Sequence, residues 1–379
     1  MLRKHLKLVL WAASHFRASA APQNASGRGA SKSGPLRNLA IVAALLLAPV
    51  ARGQSAPDAF DTIRPVPVFT ASSGFITTFD GGTTHLGPQV TPLLLVPIGQ
   101  KWLIESRGTI EADLAPPPGG SGFEGDWETN VDYLQLDYFA NRYVTVDAGR
   151  YLIPFGIYNE RLYPIWIRNL QTDPLILPLE SGEYGAGTGG MLRGGFNTAP
   201  NVEFNYATYF SALSAVEHME SDRLAGGRAG IFLPGPRLEF GGSFQHSLQE
   251  EHKNSFGFHF EWQPPAGIDL RAEYARSYEG SGYWVESAYR LNRVPKWQHA
   301  LSRVQVVARM QQYFAPRSED DALMPNTNMF EFGVNYYFRD DMRFVSSYGR
   351  QFTPTGDQNV WTFGLTARLA MPLGHGEMR

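Results

Sequence analysis

The sequence contains no cysteine. This absence excludes disulfide scaffolds, thiolate zinc sites and cysteine nucleophiles. Long apolar runs are also scarce, because the longest covers residues 39–50 and is interrupted by Pro49. A helix needs about 20 apolar residues to cross a bilayer. A helical membrane protein is therefore excluded as well.

The apolar run 39–50 has the composition of a secretory signal. Arg37 precedes it, and Ala51-Arg52-Gly53 follows it as a small-x-small cleavage sequence. We expect a signal peptide at 36–53, with cleavage after Gly53. The alternative is a buried helix, but the flanking glycine, serine and proline residues offer it nothing to pack against.

Residues 1–35 and 54–67 lie on either side of the expected signal peptide. Residues 1–35 precede the usual start of a signal, so we interpret them as a mispredicted N-terminal extension, with the true start codon near Leu36. Residues 54–67 are expected to be a periplasmic lead-in to the folded part of the chain.

Basic residues become few once the N-terminus is set aside. Residues 1–53 hold eight of the 33 lysines and arginines and none of the 36 acidic residues. Subtracting these eight leaves 25 basic against 36 acidic residues, a net charge of −11. Nucleic acid is not an expected partner, because phosphate binding needs a basic face.

From Val68 onward, apolar and polar residues alternate with the period of two that is typical of strands. The clearest row lies in 330–338, where the apolar positions are Phe330, Phe332, Val334, Tyr336 and Phe338. We count sixteen such segments between turn signals. They are expected at 68–79, 88–97, 100–114, 127–141, 143–152, 185–196, 200–213, 226–235, 236–247, 253–264, 267–278, 280–292, 302–314, 328–338, 341–353 and 358–371.

The connections between these segments alternate in length. Tight ones are expected at 97–100, 141–142, 197–200, 234–236, 264–267 and 339–341, and long polar ones at 80–87, 115–126, 153–184, 214–225 and 315–327. Short periplasmic turns, longer extracellular loops and an even strand number are typical of outer-membrane barrels. Two connections depart from this pattern, because the one near Glu279 is short and the one at 293–301 is long.

The soluble alternative is a large sandwich or propeller, in which strands also alternate. Sandwich strands are mostly five or six residues long, whereas these segments approach the length of a tilted transmembrane strand. Aromatic residues cluster at segment ends, where interfacial girdles would lie. We therefore predict an all-β fold, an antiparallel transmembrane β-barrel of about sixteen strands spanning residues 68–371, followed by a C-terminal tail at 372–379.

The approach to the longest connection is the most distinctive stretch of the sequence. Residues 148–161 read AGRYLIPFGIYNER. This stretch resembles the G-R-[FY]-x-x-P-F-G strand-to-loop segment of the phosphate-selective porin O and P family. The resemblance implies a sixteen-stranded outer-membrane porin whose long third extracellular loop folds into the pore. The sequence has only three lysines after residue 53, so phosphate selectivity is not carried over.

The composition of 153–184 also favours a packed loop. Its apolar residues include Trp166 and the run 175–179, and a long loop in a compact architecture is usually functional. The alternatives are a surface lid or a short interfacial helix at 164–170. The constriction-loop candidates are Glu160, Arg161, Arg168, Asp173, Glu180 and Glu183.

A passive pore selects solutes by its lining charges and its radius. Register along the strands gives the following pore-lining candidates: Glu105, Arg107, Glu111, Asp113, Arg150, Glu203, Arg271, Glu273, Arg290, Arg303, Arg309, Glu331, Arg343 and Arg368. Most of these charges need only solvate the lumen or pair with one another. The acidic excess predicts weak cation preference or little preference.

The predicted function is a channel in the bacterial outer membrane for passive diffusion of small hydrophilic solutes or ions. The alternative is an enzyme of the outer-membrane lipase or esterase kind. Its candidate serines and histidines are Ser243, Ser255, His246, His252 and His259. A non-conducting structural barrel is another. No catalytic or metal motif is found, and no cofactor is expected. The expected partners are outer-membrane lipid and the barrel-assembly machinery, and a homotrimer is one compatible assembly.

Overall fold

The alternating rows form antiparallel strands in the computed structural model, which describes residues 66–80, 82–117, 120, 122–181, 185–249, 253–293, 301–317 and 322–373. The strands are β1 Val68–Asp80, β2 Thr83–Ile98, β3 Trp102–Ala112, β4 Trp127–Asn141, β5 Val144–Leu152, β6 Ala186–Ala199, β7 Val202–Ala212, β8 Leu224–Leu233, β9 Leu238–Ser247, β10 Asn254–Trp262, β11 Ile268–Ser277, β12 Gly280–Arg290, β13 Val304–Phe314, β14 Thr327–Arg339, β15 Met342–Thr353 and β16 Gly356–Pro372.

These strands close into one barrel. Each strand pairs with the next along the chain, and β1 pairs with β16 in a ladder that runs from Val68↔Pro372 to Asp80↔Val360. Closure leaves no strand of the described wall with an unpaired edge. The predicted sixteen-stranded antiparallel barrel is confirmed.

Most connections have the predicted lengths, with one error. β1 ends at Asp80 and β2 begins at Thr83, so the long connection predicted at 80–87 is wrong. The polar residues there belong to an extended strand, since His85 Nδ1 lies 3.0 Å from Asp113 Oδ1 beyond the end of β3. The short link between β11 and β12 and the long one between β12 and β13 are as predicted.

The side chains of the wall divide into two faces. On β14, Phe330 and Phe332 are more than half exposed. Glu331, which lies between them, and Asn335, farther along the strand, are buried. The polar rows form the polar face, which is packed against other protein groups, and the apolar rows form the exposed apolar face. Alternation is inverted here relative to a soluble protein, because the exposed side is the apolar one.

A bulge in β4 interrupts this alternation. The register between β3 and β4 shifts between Arg107 and Gly108, which leaves Asp132 without a directly opposed residue. Thr109 donates a hydrogen bond to Asp132 at 2.8 Å. An extra residue in one strand changes the direction in which the side chains beside it point, here that of Asp132.

The aromatic clusters at strand ends divide between the two faces. Phe139, Phe314 and Phe338 are exposed, as expected for girdle residues. Tyr313 is instead fully buried, and its hydroxyl donates to the carbonyl oxygen of Glu279. The prediction that whole clusters lie at the interface is wrong, because neighbouring residues of a strand point to opposite faces.

The connection between β5 and β6, residues 153–185, is here called the β5–β6 segment. It contains a π-helical turn at Tyr158–Leu162 and a short helix, α1, at Leu177–Ser181. Residues 164–170 form turns, so the alternative of a helix there is wrong. Many apolar side chains of the segment are almost completely buried, including Ile153, Phe155, Ile157, Leu170, Ile176 and Leu179.

No helix among the described residues is long and apolar enough to cross a membrane. The predicted extension, signal peptide and most of the lead-in and tail lie outside the described residues.

Candidate functional site

The β5–β6 segment begins with a backbone anchor on Glu273 of β11. The Glu273 carboxylate accepts hydrogen bonds from the backbone N–H of Ile157, from that of Tyr158 at 3.3 Å and from Trp284 Nε1 at 2.9 Å. Gly156 has a φ of +64°, and a methyl group on it would lie 2.2 Å from Glu273 Oε1. Only glycine fits this position, because of both the backbone conformation and the contact.

Charged residues of the π-helical turn pair with arginines and carboxylates of the wall. Glu160 lies 3.0 Å from Arg193 of β6 and 2.9 Å from Arg228 of β8. Burial opposes ionisation of Glu160, but Arg228, Arg193 and Arg161 outweigh it and hold the pKa of this carboxyl below its ordinary value. Arg161 binds Glu239 of β9 through both terminal nitrogens, at 2.7 and 2.9 Å.

The second half of the segment is fixed to strands β12–β15. Asn169 donates to Glu286 at 2.9 Å, and Thr172 donates to Glu331 at 2.5 Å. The backbone N–H of Leu175 donates to Gln311 at 3.0 Å. Arg343 of β15 donates to the carbonyl oxygen of Ile165 at 3.1 Å. The segment thus contacts polar side chains on most of the strands from β6 to β15.

Four glycines of the wall receive apolar side chains of the segment. A methyl group added to Gly257 would lie 2.6 Å from Phe155. The same holds for three further pairs: Gly74 with Ile165 at 2.6 Å, Gly282 with Ile176 at 2.6 Å, and Gly333 with Leu170 at 2.5 Å. Side chains at these positions would overlap the segment, so the missing Cβ atoms let it approach the wall closely.

The structure brings many of the predicted pore-lining residues to the polar face. Those that are buried there are Arg107, Arg150, Arg271, Glu273, Arg309, Glu331 and Arg343. Glu105, Glu111, Asp113, Glu203 and Arg290 are half-buried. Arg368 is exposed and lies over the Trp166 ring at 5.5 Å. Arg303 is exposed in the connection before β13.

The constriction-loop candidates make different contacts. Glu160 and Arg161 pair with the wall, whereas Arg168 and Asp173 pair with each other at 2.8 Å within the segment. Glu180 lies in α1 with 1% of its surface exposed. Glu183 lies outside the described residues.

Three aspartates of the polar face were missed from the sequence. Asp132, Asp137 and Asp147 are buried on β4 and β5, where Asp137 lies directly opposite Asp147. The bulge hides Asp132 from a period-two pattern. Asp137 could have been found from the sequence. Gln135 and Asp137 alternate with Leu134 and Leu136, which are exposed on the apolar face.

Glu180 of the segment and Glu273 of the wall form a close acidic pair. A methyl group on Gly156 would contact carboxylate oxygens of both. Neither oxygen of Glu180 has a hydrogen-bond partner among the described residues. Burial, and then the nearby charge of Glu273, raise the pKa of the Glu180 carboxyl well above its ordinary value.

This raised pKa predicts that the segment loosens as the pH rises through it. A carboxyl whose folded pKa is raised contributes stability that is fully present below its unfolded value, about 4.3, and is lost as the pH rises through the folded value. Hydrogen exchange of amides in α1 is expected to accelerate with pH more than the intrinsic exchange rate does. Glu180→Gln removes the titrating group and should therefore abolish the acceleration beyond the intrinsic rate. Glu217→Gln, in an exposed loop, should leave that acceleration unchanged. If exchange in Glu180→Gln accelerates with pH as much as in the wild type, titration of Glu180 does not loosen the segment.

Ser243 and His259, a serine and a histidine of the enzymatic alternative on β9 and β10, contact other groups rather than each other. Ser243 Oγ accepts the backbone N–H of Gly156 at 3.0 Å, and His259 Nε2 lies 3.6 Å from Glu239 Oε1. His246 lies in β9 rather than in a loop, and its ring is 2.7 Å from Asn254. His252 lies outside the described residues. In the part of the chain that is described, no group of histidine and acidic side chains has the arrangement of a metal site.

The fold is similar to that of solved outer-membrane porins. OprB of Pseudomonas putida gives a TM-score of 0.55 at 9% identity, covering 80% of this chain and 92% of that chain. OmpF of Salmonella typhi gives 0.54 at 11%, covering 80% and 97%. An anion-selective porin of Comamonas acidovorans gives 0.52 at 8%, covering 80% and 98%. At such identities the likeness shows the barrel fold alone.

No protein-family model matches the sequence, and no curated protein sequence matches it. The resemblance of 148–161 to the phosphate-selective porin O and P family stays a prediction.

Proposed function

We propose that this chain is a bacterial outer-membrane porin, a passive channel for small hydrophilic solutes or ions. The observation that carries the proposal is the closed sixteen-stranded wall with an exposed apolar face and a charged polar face. A barrel of about this strand number is wide enough to enclose an aqueous channel. Its apolar face suits lipid, and its polar face suits a wet lumen.

We further propose that the β5–β6 segment lies in the lumen and narrows it. The support comes from its partners, because Glu239, Glu273, Glu286 and Glu331 all belong to the polar rows of the wall. The wall glycines that receive its apolar side chains face the same way. The resemblance of 148–161 to the phosphate-selective porins adds to this proposal, but phosphate itself is not proposed as the solute.

The same proposal includes the remaining partners. Outer-membrane lipid would cover the apolar face, and the barrel-assembly machinery would insert the exported chain after removal of a signal peptide at 36–53. A trimer is compatible with the fold. The enzymatic alternative has no supporting geometry among the described residues, since Ser243 and His259 have other partners.

The test is conductance of the purified, folded protein in planar bilayers. A porin gives discrete, long-lived current steps whose size scales with salt concentration. A non-conducting structural barrel would give a folded, heat-modifiable band on gels and no steps. Ester hydrolysis by the folded protein that is lost in His259→Ala would instead support the enzymatic alternative.

A further inference from the structure

Four arginines of the polar face lie at one end of the barrel, the end that carries the β2–β3 and β14–β15 connections. Arg290 is the last residue of β12, Arg343 is the second of β15, and Arg368 lies near the end of β16. Arg303 directly precedes β13. The register places them on the polar face, since Arg343 lies opposite the buried Thr366. We call Arg290, Arg303, Arg343 and Arg368 the arginine cluster.

Two aromatic rings connect the arginine cluster. The ring centre of Trp166, in the β5–β6 segment, lies 5.2 Å from the guanidinium carbon of Arg343 and 5.5 Å from that of Arg368. The ring centre of Tyr337 on β14 lies 4.2 Å from the guanidinium carbon of Arg290 and 5.8 Å from that of Arg343. A guanidinium that stacks on an aromatic ring keeps N–H donors at its edge, where the oxygens of an anionic group can accept them.

Arg343 is the buried member of the cluster. It is 2% exposed, and it donates to Thr366 at 3.2 Å, to Tyr337 at 3.3 Å and to the carbonyl oxygen of Ile165 at 3.1 Å. These hydrogen bonds fix the turn of the segment that carries Trp166. Arg343 is therefore a positioning residue, out of reach of a solute.

The other three arginines can be reached from water. Arg290 is half-buried, and Arg303 and Arg368 are exposed. Among the described residues, no carboxylate forms an ion pair with any of the three. The backbone of Asp341 accepts a hydrogen bond from that of Arg368, but its carboxylate binds Arg339 at 2.9 and 3.0 Å. The three accessible guanidiniums therefore have N–H donors left for an anion.

Three leucines interrupt the polar rows of the wall at the same end of the barrel. Leu93 and Leu95 of β2 and Leu103 of β3 lie directly opposite the polar-face residues Arg107, Glu105 and Asp137, in that order. All three leucines are half-buried. They give the polar face an apolar patch beside the first strand of the barrel.

This apolar patch lies near Arg368. Ser72 of β1 pairs with both Arg368 and Thr91, and Leu93 is two residues beyond Thr91. With strands about 4.8 Å apart and a rise of about 3.4 Å per residue, the Cα atoms of Arg368 and Leu93 are about 12 Å apart. A solute with a charged group and a short apolar chain can span such a distance, because both side chains also extend toward it.

We propose that this end of the lumen binds small organic anions that carry a short apolar group. The anionic group binds Arg368, while Arg290 and Arg303 attract it electrostatically, and the apolar group packs on Trp166 and the leucines. The inference rests on the proposed channel function, because the channel gives solutes access to these residues. Sites for small molecules commonly combine apolar contacts with a few charged groups that fix the orientation.

The test is block of the potassium chloride current in planar bilayers by hexanoate added to both compartments. Acetate has the same charge without the apolar chain, and hexanamide has the chain without the charge. Hexanoate is expected to halve the current at a concentration about tenfold lower than acetate does, because burial of two methylene groups supplies this factor. Hexanamide should leave the current unchanged at the concentration at which hexanoate halves it.

Two variants locate the block. Arg368→Gln should raise the half-blocking concentration of hexanoate several-fold. Leu93→Thr should raise it for hexanoate but not for acetate, because it removes only an apolar contact. The matched control is Arg350→Gln, an exposed arginine at the opposite end of β15 that pairs with Asp357, and it should leave both concentrations unchanged. Heat-modifiable gel mobility verifies that each variant folds.

The outcomes separate this inference from the function on which it rests. Absence of current would overturn the channel function. Current that hexanoate and acetate reduce equally, or block by hexanoate that is unchanged in Arg368→Gln, would overturn the binding site and leave the channel intact. Equal block by hexanamide would overturn the role of the arginines.

Discussion

Replacing residues 158–178 with a short Gly/Ser linker is expected to raise the single-channel conductance several-fold. The segment packs against the polar face from β6 to β15, and under the proposed function its removal widens the cross-section open to ions. The wall charges that it covers, among them Arg309 and Glu331, would then face water, which solvates them. The measurement is the current step in planar bilayers at fixed salt.

The control for this deletion is the shortening of a different long connection. Removing 215–219, between β7 and β8, should change the step size little, because most of that connection is exposed. Heat-modifiable gel mobility verifies that both barrels fold. An unchanged conductance after removal of 158–178 would show that the segment does not restrict the channel.

The second large effect is expected at the ion pair under the segment. Arg309 and Glu331 lie 2.9 Å apart with both side chains 1% exposed, and Arg309 also lies 3.7 Å from Glu286. Removing one member of a buried pair leaves the other charge uncompensated and costs about 3–5 kcal/mol. Arg309→Met should lower the free energy of unfolding by this amount in urea titrations of the vesicle-inserted protein.

Two variants show whether burial causes this loss. Arg350→Met breaks the pair between Arg350 and Asp357, whose side chains are 49% and 46% exposed, and should lower the free energy of unfolding far less, because water screens an exposed ion pair. The double variant Arg309→Met, Glu331→Met should recover part of the loss, because it leaves one fewer carboxylate without a counter-charge. A loss in Arg309→Met no greater than that in Arg350→Met would contradict the buried pairing.

Period-two alternation predicted the barrel because burial on one face and exposure on the other impose the same period on every strand. Segments such as 127–141 were found to the residue. The alternation failed where a bulge re-aims Asp132 and where polar residues of β2 resembled a loop. The two failures have different causes. A bulge adds a residue that shifts the two-residue row, whereas a short polar stretch is equally compatible with a strand and a turn.

The candidate site was predicted only in part. The composition of 153–184 indicated packing, and several charges on both sides were identified, but Arg193 and Arg228, which pair with Glu160, were not. Their pairing was not predictable, because Thr172 meets Glu331 across 159 residues of sequence. Nothing local encodes such a contact. The glycines that receive Phe155, Ile165, Leu170 and Ile176 had no sequence signal either, since glycine also marks turns.

Under the proposed function, the polar rows of this wall enclose water that ions cross. The chain has no cysteine, so a single introduced cysteine is the only thiol that a reagent can reach. Channels carrying Glu105→Cys should lose current in steps when a small cationic thiol reagent is added, whereas Phe332→Cys on the apolar face should be unaffected. Block of Phe332→Cys with Glu105→Cys unaffected would show that the polar rows do not line the channel.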